Sequence, residues 1–245
     1  MQKGEGGMKK TLGILGGMGP LATADLFHKI TVLTKAASDQ EHIHVLIDSD
    51  PSIPDRTDAL LHGGQDPLPK MTASLRNLER AGAECIVMPC NTAHGFLQAL
   101  QARTSLPILN MPALTAARCR ELYGDRQACI LATSGTLETG IYHRALQEQG
   151  VPFLTPEKYE EEILMHLIYD VVKASKPLQP EKETWQHLLD SLRAVGAEYF
   201  LLACTELPIL AEGLAVPGPF VDPTAELARA AILFCGYEIR EQVPV

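Results

Sequence analysis

The sequence predicts an α/β protein made of two similar open parallel-sheet domains related by pseudo-two-fold symmetry, with the active site in the cleft between them. Three observations carry this. Short apolar or β-branched runs alternate with longer amphipathic segments along all 245 residues, the pattern of βα units on a parallel sheet. The stretch GAECIVMPCNTA at 82–93 aligns without a gap on GAEYFLLACTEL at 196–207, so Cys90 falls on Cys204. Each copy is fed by a helix-like segment, KMTASLRNLER or ETWQHLLDSLR. Duplication of a half-sized βα unit explains this repeat, because two packed copies bring equivalent strand ends face to face. The length is sufficient for two domains of about 100 to 150 residues, each with its own core.

The strands expected in order are TLGILGG, HIHVLIDSD, ECIVMPC, LPILNM, QACILAT, VPFLTP, EYFLLAC and GPFVD. Helices are expected over 22–37, 68–81, 93–102, 112–123, 137–149, 158–174, 181–195 and 223–234. The last opens with Asp222 as N-cap and Pro223 at the first helical position. Residues 1–7 are Gly-rich and polar and are expected to form a disordered tail rather than a signal segment.

Composition is that of an ordinary globular chain, with 46% hydrophobic and 21% charged residues. The formal net charge of −9 and the absence of a Lys/Arg cluster argue against nucleic acid or an anionic membrane as partner. No apolar run approaches the roughly 18 residues that span a bilayer, and a cytoplasmic location is expected.

The six cysteines show neither a C-x-x-C pair nor zinc-ligand spacing. Cys85, Cys129 and Cys235 lie within apolar runs and read as small buried hydrophobes. Cys90 and Cys204 stand instead at the polar ends of such runs, where strand carboxyl ends form ligand sites. Each is expected to precede a helix, whose N-terminus lowers a thiol pKa from its free value of about 8.5. Three chemistries use such a pair. A redox disulfide needs the sulfurs about 2 Å apart and leaves no room for substrate. Metal binding needs further ligands, and only His94 is near either cysteine in sequence. Two-base proton transfer needs one thiolate and one thiol on opposite faces of a carbon, and it alone explains the same residue in both halves.

The segments GILGGMGPLAT (13–23), PSIPDRT (51–57), PCNTAH (89–94), LATSGTLETGIY (131–142), IYDVVK (168–173) and ACTELP (203–208) resemble the cofactor-independent aspartate/glutamate racemases. GGMGP and PDRT are most similar to the aspartate racemase branch. The resemblance implies two α/β domains, residues 1–107 with 212–245 and residues 108–211, the C-terminal helix returning to the first. It implies Cys90 and Cys204 as catalytic bases, no cofactor such as pyridoxal phosphate, no metal, and a homodimer.

In GILGGMGP the spacing of Gly13, Gly16, Gly17 and Gly19 is not that of a dinucleotide fingerprint. The turn is either purely structural or, as the resemblance implies, sets Met18 and backbone N–H groups against a substrate carboxylate. Arg56 is expected to hold the side-chain carboxylate of a dicarboxylic amino acid, since a guanidinium binds a carboxylate bidentately; the plain alternative is a surface turn. Lys173 reads as a solvated helix-end charge, except that the family has a substrate-binding lysine at this position. Asn91, Thr92 and Thr205 are helix caps or grips for the α-carboxylate, with Thr133 joining them. Glu206 either orients the α-ammonium or is a first-turn acid, and His94 reads as structural. The expected activity is racemisation of aspartate, with glutamate as a further substrate. A non-catalytic binder of acidic amino acids and a maleate-type isomerase with a cysteine nucleophile remain as alternatives.

Overall fold

The computed structural model describes residues 9–240; the tail expected at 1–7 lies outside them. The first sheet holds β1 (Leu12–Gly16), β2 (Val45–Ser49) and β3 (Cys85–Val87), all parallel, in the order β2-β1-β3. The second holds β4 (Ala128–Leu131), β5 (Phe153–Leu154), β6 (Tyr199–Leu202) and β7 (Phe220–Val221), also parallel, in the order β5-β4-β6-β7. Among the described residues the first strand of each half is central, the second lies on one side and the third on the other. This makes β3 and β6 equivalent, and they are the two strands that run into Cys90 and Cys204. Both central strands are buried on both faces, which is why they read as continuous apolar runs rather than alternating ones.

The helices are α1 (Pro20–Leu33), α2 (Arg56–Leu61), α3 (Leu68–Ala81), α4 (Leu97–Gln101), α5 (Met111–Tyr123), α6 (Ser134–Thr139), α7 (Ile141–Glu148), α8 (Lys158–Met165), α9 (Lys182–Ala194), α10 (Glu206–Leu214) and α11 (Pro223–Phe234). Helices α3 and α9 are the amphipathic pair that feeds the two repeats. Each buries one stripe, Met71, Leu75 and Leu78 in the first and Trp185, Leu188, Leu189 and Leu192 in the second. Each is followed by a glycine with positive φ, Gly82 and Gly196. That conformation suits glycine and lets the chain turn back into β3 and β6.

Four expected elements differ. The segment LPILNM contributes a single parallel bridge, Ile108 to Ile86, in place of a strand. The helix expected over 93–102 is a 3₁₀ turn, Thr92–Phe96, followed by the short α4. There the His94 ring bonds the Cys90 carbonyl at 2.9 Å and competes with a regular helical start. The helix expected over 137–149 is broken at Gly140, whose left-handed backbone ends α6 and opens α7. Beyond α8 the chain widens into a π-helical turn, His166–Val172, that ends at Lys173. PSIPDRT runs directly into helix α2, which Asp55 caps by accepting the Asp58 N–H at 2.9 Å.

The cores follow the two sheets. Leu12, Ile14, Cys85 and Val87 pack with α1 and with Leu227, Ala228, Ala231 and Ile232 of the returning α11. Residues 212–221, given to the first domain from the sequence, form the end of α10 and the edge strand β7 of the second sheet. The return to the first sheet therefore begins at α11. It is anchored by a buried charge cluster: Lys29 of α1 bonds Asp25 at 2.5 Å and Asp222, the α11 N-cap, at 2.7 Å. Burial disfavours the Lys29 charge, but Asp222 and Asp25 outweigh it and raise its pKa. Replacing Lys29 with Met leaves two partly buried carboxylates unopposed and is expected to cost about 2 kcal/mol, read as a lower urea midpoint at unchanged slope. Acidification should recover part of that loss, because burial and the Asp222 charge raise the Asp25 pKa, and protonating Asp25 removes the repulsion.

Candidate active site

The carboxyl ends of both sheets converge on one small cavity of about 10 Å³. From the first half come Met18 after β1, Arg56 beyond β2, and Cys90, Asn91 and Thr92 after β3. From the second come Thr133 after β4, Lys173 beyond α8, and Cys204, Thr205 and Glu206 after β6. All ten residues singled out in the sequence line it, joined by Asp55, Thr57 and Tyr169, which sequence reasoning missed. The equivalent strand ends meet as duplication predicts.

Around Cys90 the charge is cationic. Arg56 is 7% exposed, and its terminal nitrogens donate to the carbonyls of Pro54 at 3.0 Å, Ile53 at 3.3 Å and Met18 at 3.3 Å. Three backbone acceptors thus fix the guanidinium, while its Nε is buried without a partner. Burial opposes the charge, but the adjacent Cys90 and Asp55 outweigh it and raise the Arg56 pKa. Asp55 is held below the usual carboxylate range although burial pushes it up, because it accepts from the Asp58 N–H and faces Arg56, the Tyr169 hydroxyl and Lys173. The Tyr169 hydroxyl donates to Asp55 at 3.0 Å, a bond between the two halves.

Around Cys204 the arrangement is different. Its thiol donates to Glu206 Oε2 at 3.0 Å, and Lys173 Nζ stands 3.6 Å from Glu206 Oε1. The helix N-terminus was expected to lower this thiol pKa. It is instead raised well above the ordinary value, first by burial and then by the Glu206 charge, against which Lys173 acts in the other direction. Cys204 therefore rests as a thiol. Burial disfavours the Lys173 ammonium, yet Glu206, Cys204, Cys90 and Tyr169 outweigh it and raise its pKa. Lys173 lies over the Tyr169 ring at 4.7 Å, so it is not the solvated helix-end charge that the sequence alone allowed.

Hydroxyls and an amide complete the wall. Thr92 Oγ1 is 3.1 Å from Thr133 Oγ1 and 2.8 Å from Thr136 Oγ1, a cluster that spans the halves. Thr133 also caps α6, as its place at a strand end suggested. Asn91 accepts a hydrogen bond from the Tyr142 hydroxyl at Oδ1, and its Nδ2 is buried without a partner. In the turn after β1 the Gly17 N–H bonds Thr23 Oγ1 at 2.9 Å, so that donor is taken internally. His94 is structural: its ring bonds the Cys90 carbonyl and accepts from the Met111 N–H at 3.3 Å, and burial lowers its pKa. No group of three or more His, Cys, Asp or Glu among the described residues is placed to hold a metal.

The cavity has room for about one water, far less than an amino acid occupies. A wider pocket of about 340 Å³ adjoins it, between the turn at Gly17, Gly19, Pro20 and Leu21 and the loop at Pro51 and Ile53. Asp55, Arg56, Lys173 and Glu206 line both spaces and form the partition between them. Access to the cysteines from this pocket passes these four charges.

A sequence model described as Asp/Glu/Hydantoin racemase matches residues 15–231. The chain belongs to that family. Its members are isomerases, and this racemase shares its fold with solved relatives along nearly its whole length. The Picrophilus torridus aspartate racemase superposes with a TM-score of 0.84 at 31% identity, over 95% of this chain and 96% of that one. An aspartate racemase homologue from Pyrococcus horikoshii gives 0.73 at 25% identity, over 93% and 99%. The broad specificity amino-acid racemase RacX of Bacillus subtilis is 25% identical over 225 residues, 90% of this chain and 96% of its own.

The Cys204 environment makes a direct prediction. Glu206→Gln removes the neighbouring charge that disfavours the thiolate, so iodoacetamide should alkylate Cys204 faster than in the parent protein at pH 9, measured by peptide mass spectrometry. An unchanged rate would mean that Glu206 does not govern the thiol.

Proposed function

We propose that this chain is a racemase, independent of pyridoxal phosphate, that interconverts L- and D-aspartate, with glutamate as a further substrate, by proton transfer between Cys90 and Cys204. One observation carries the proposal: equivalent strand ends of two similar halves bring one cysteine each to a single closed cavity whose wall holds unpartnered donors. A redox pair or a metal site would not require those donors. Arg56 Nε and Asn91 Nδ2 are buried donors whose unmet hydrogen bonds a substrate carboxylate would satisfy. Asp55 and Glu206 supply acceptors for the α-ammonium.

In one direction Cys90, beside the Arg56 guanidinium, takes the α-proton as thiolate. Cys204, held as a thiol on Glu206, returns a proton to the opposite face. The new Cys204 thiolate then lies near the Lys173 ammonium, which is kept charged at neutral pH. The reverse reaction exchanges the roles, so the pair titrates as a unit. Because an α-proton is a very weak acid, most of the rate must come from fixed donors at the developing negative charge and from exclusion of water. Opening of the halves admits substrate and closure restores the dry site. A homodimer and a cytoplasmic location complete the proposal.

A broader substrate range is favoured by one feature. Arg56 and Lys173 are balanced by Asp55 and Glu206, so the cavity carries no large net charge that demands an acidic side chain. RacX, described as of broad specificity, aligns over most of this chain.

Incubation with L-aspartate, L-glutamate, neutral L-amino acids and maleate separately in D2O, followed by optical rotation and α-deuterium, separates these readings. Loss of rotation with α-deuteration of aspartate is expected. Binding without exchange would favour a sensor, and a covalent maleate adduct an isomerase. Cys90→Ala and Cys204→Ala should each lower turnover by about a thousandfold or more while melting near the parent temperature. Full turnover in either variant would sink the two-base scheme.

A further inference from the structure

Tyr142 stands outside the cavity, yet it holds one of the two unpartnered donors on its wall. It lies in α7 with 0% exposure, packed among Ala116, Cys119, Ile130 and Tyr199. A phenylalanine would fill the apolar space around the ring equally well; the hydroxyl itself lies beside Thr115, whose own proton goes to the Met111 carbonyl at 2.8 Å. Burial raises the phenol pKa well above its ordinary value, and the group keeps its proton at all physiological pH. The proton is donated to Asn91 Oδ1. This bond also crosses between the halves, from α7 to the strand end after β3. The Asn91 backbone is fixed independently, since its carbonyl accepts the His94 N–H at 2.9 Å.

A primary amide has one acceptor oxygen and one nitrogen with two donors, and the two ends exchange by rotation about a single bond. With Oδ1 taken by the phenol, the donor end is left over, and Nδ2 is the atom found buried and without a partner on a residue lining the cavity. The rotated amide would turn its oxygen lone pairs toward a bound carboxylate, which repels them. We infer that Tyr142 is a positioning residue whose phenol sets the Asn91 amide so that Nδ2 remains a free donor for the substrate's carboxylate. The inference rests on the racemase reading above, since it takes a carboxylate as the ligand of this wall. It adds a residue that makes no contact with substrate and acts through Asn91.

The test compares Tyr142→Phe with the full-length parent enzyme, using L-aspartate. Removing one hydroxyl keeps the side chain's shape and volume close to native, so the fold is expected to survive. KM for aspartate should rise by about tenfold, the size expected when one buried hydrogen-bonding group is left without its partner. The value of kcat should fall less, because the proton transfers belong to the cysteines. A merely structural hydroxyl would lower the melting temperature and leave this split absent.

The second arm repeats the substitution in an Asn91→Ala background. There the KM effect of Tyr142→Phe should vanish, since the group it positions is gone. An unchanged KM in Tyr142→Phe, or the same KM rise with and without Asn91, overturns the inference and leaves the racemase reading standing. If the parent protein neither binds aspartate by calorimetry nor exchanges its α-proton, the racemase reading fails and this inference falls with it.

Discussion

Placing two cations and two carboxylates, Arg56 and Glu206 buried and Lys173 and Asp55 half-buried, around one small cavity is the constraint on which the rest of the site depends. A charge moved out of water without a partner costs several kcal/mol, so each must be paired where it lies. Arg56 meets three carbonyls and Asp55, and Lys173 meets Glu206 and the Tyr169 ring. Asp55 in turn caps α2, which ties the charge arrangement to the local backbone. Substrate must enter past this partition, and its own charges have to replace or extend pairs that already exist.

Duplication gives the site its near-symmetry, and the neighbours of each cysteine remove it. β3 and β6 occupy equivalent places in their sheets and carry Cys90 and Cys204 to the same space. The surroundings differ in sign: a guanidinium lies beside Cys90, and a carboxylate accepts a hydrogen bond from the Cys204 thiol. A reaction that removes a proton on one face and supplies one on the other needs unlike protonation states on like residues. The second strand of each half extends the correspondence, since the chain beyond β2 leads to Arg56 and the chain beyond β5 leads to Lys173.

Several side-chain hydrogen bonds between the halves lie at the cavity itself. Thr92 with Thr133 and Thr136, Asn91 with Tyr142, and Asp55 with Tyr169 join the halves around the cavity. A displacement of several ångströms between the halves would break each of them, because a hydrogen bond is lost once donor and acceptor are more than about 3.5 Å apart. Closure is therefore expected to be a two-position event with a dry site in one position.

The sequence by itself determined the βα order, the repeat, both cysteines and the residues at strand ends. Those properties are local: a strand's apolar run fixes its burial, and its polar end falls at the sheet edge wherever the sheet is placed. Arg56 was legible because its segment follows a strand and its chemistry is specific, whereas Lys173 needed the family's pattern. Only the tertiary structure decided what depends on distant neighbours. Tyr169 reaches Asp55 across 114 positions of sequence, and no local pattern encodes that distance. The widened turn that aims Tyr169 and Lys173 inward reads as ordinary amphipathic helix. The Cys204 thiol was expected to be acidified by a helix end, a short-range influence that loses to burial and to a carboxylate 3.0 Å away. Charges and hydrogen bonds in a closed space are set by everything that packs around them, and that is known only once the chain has folded.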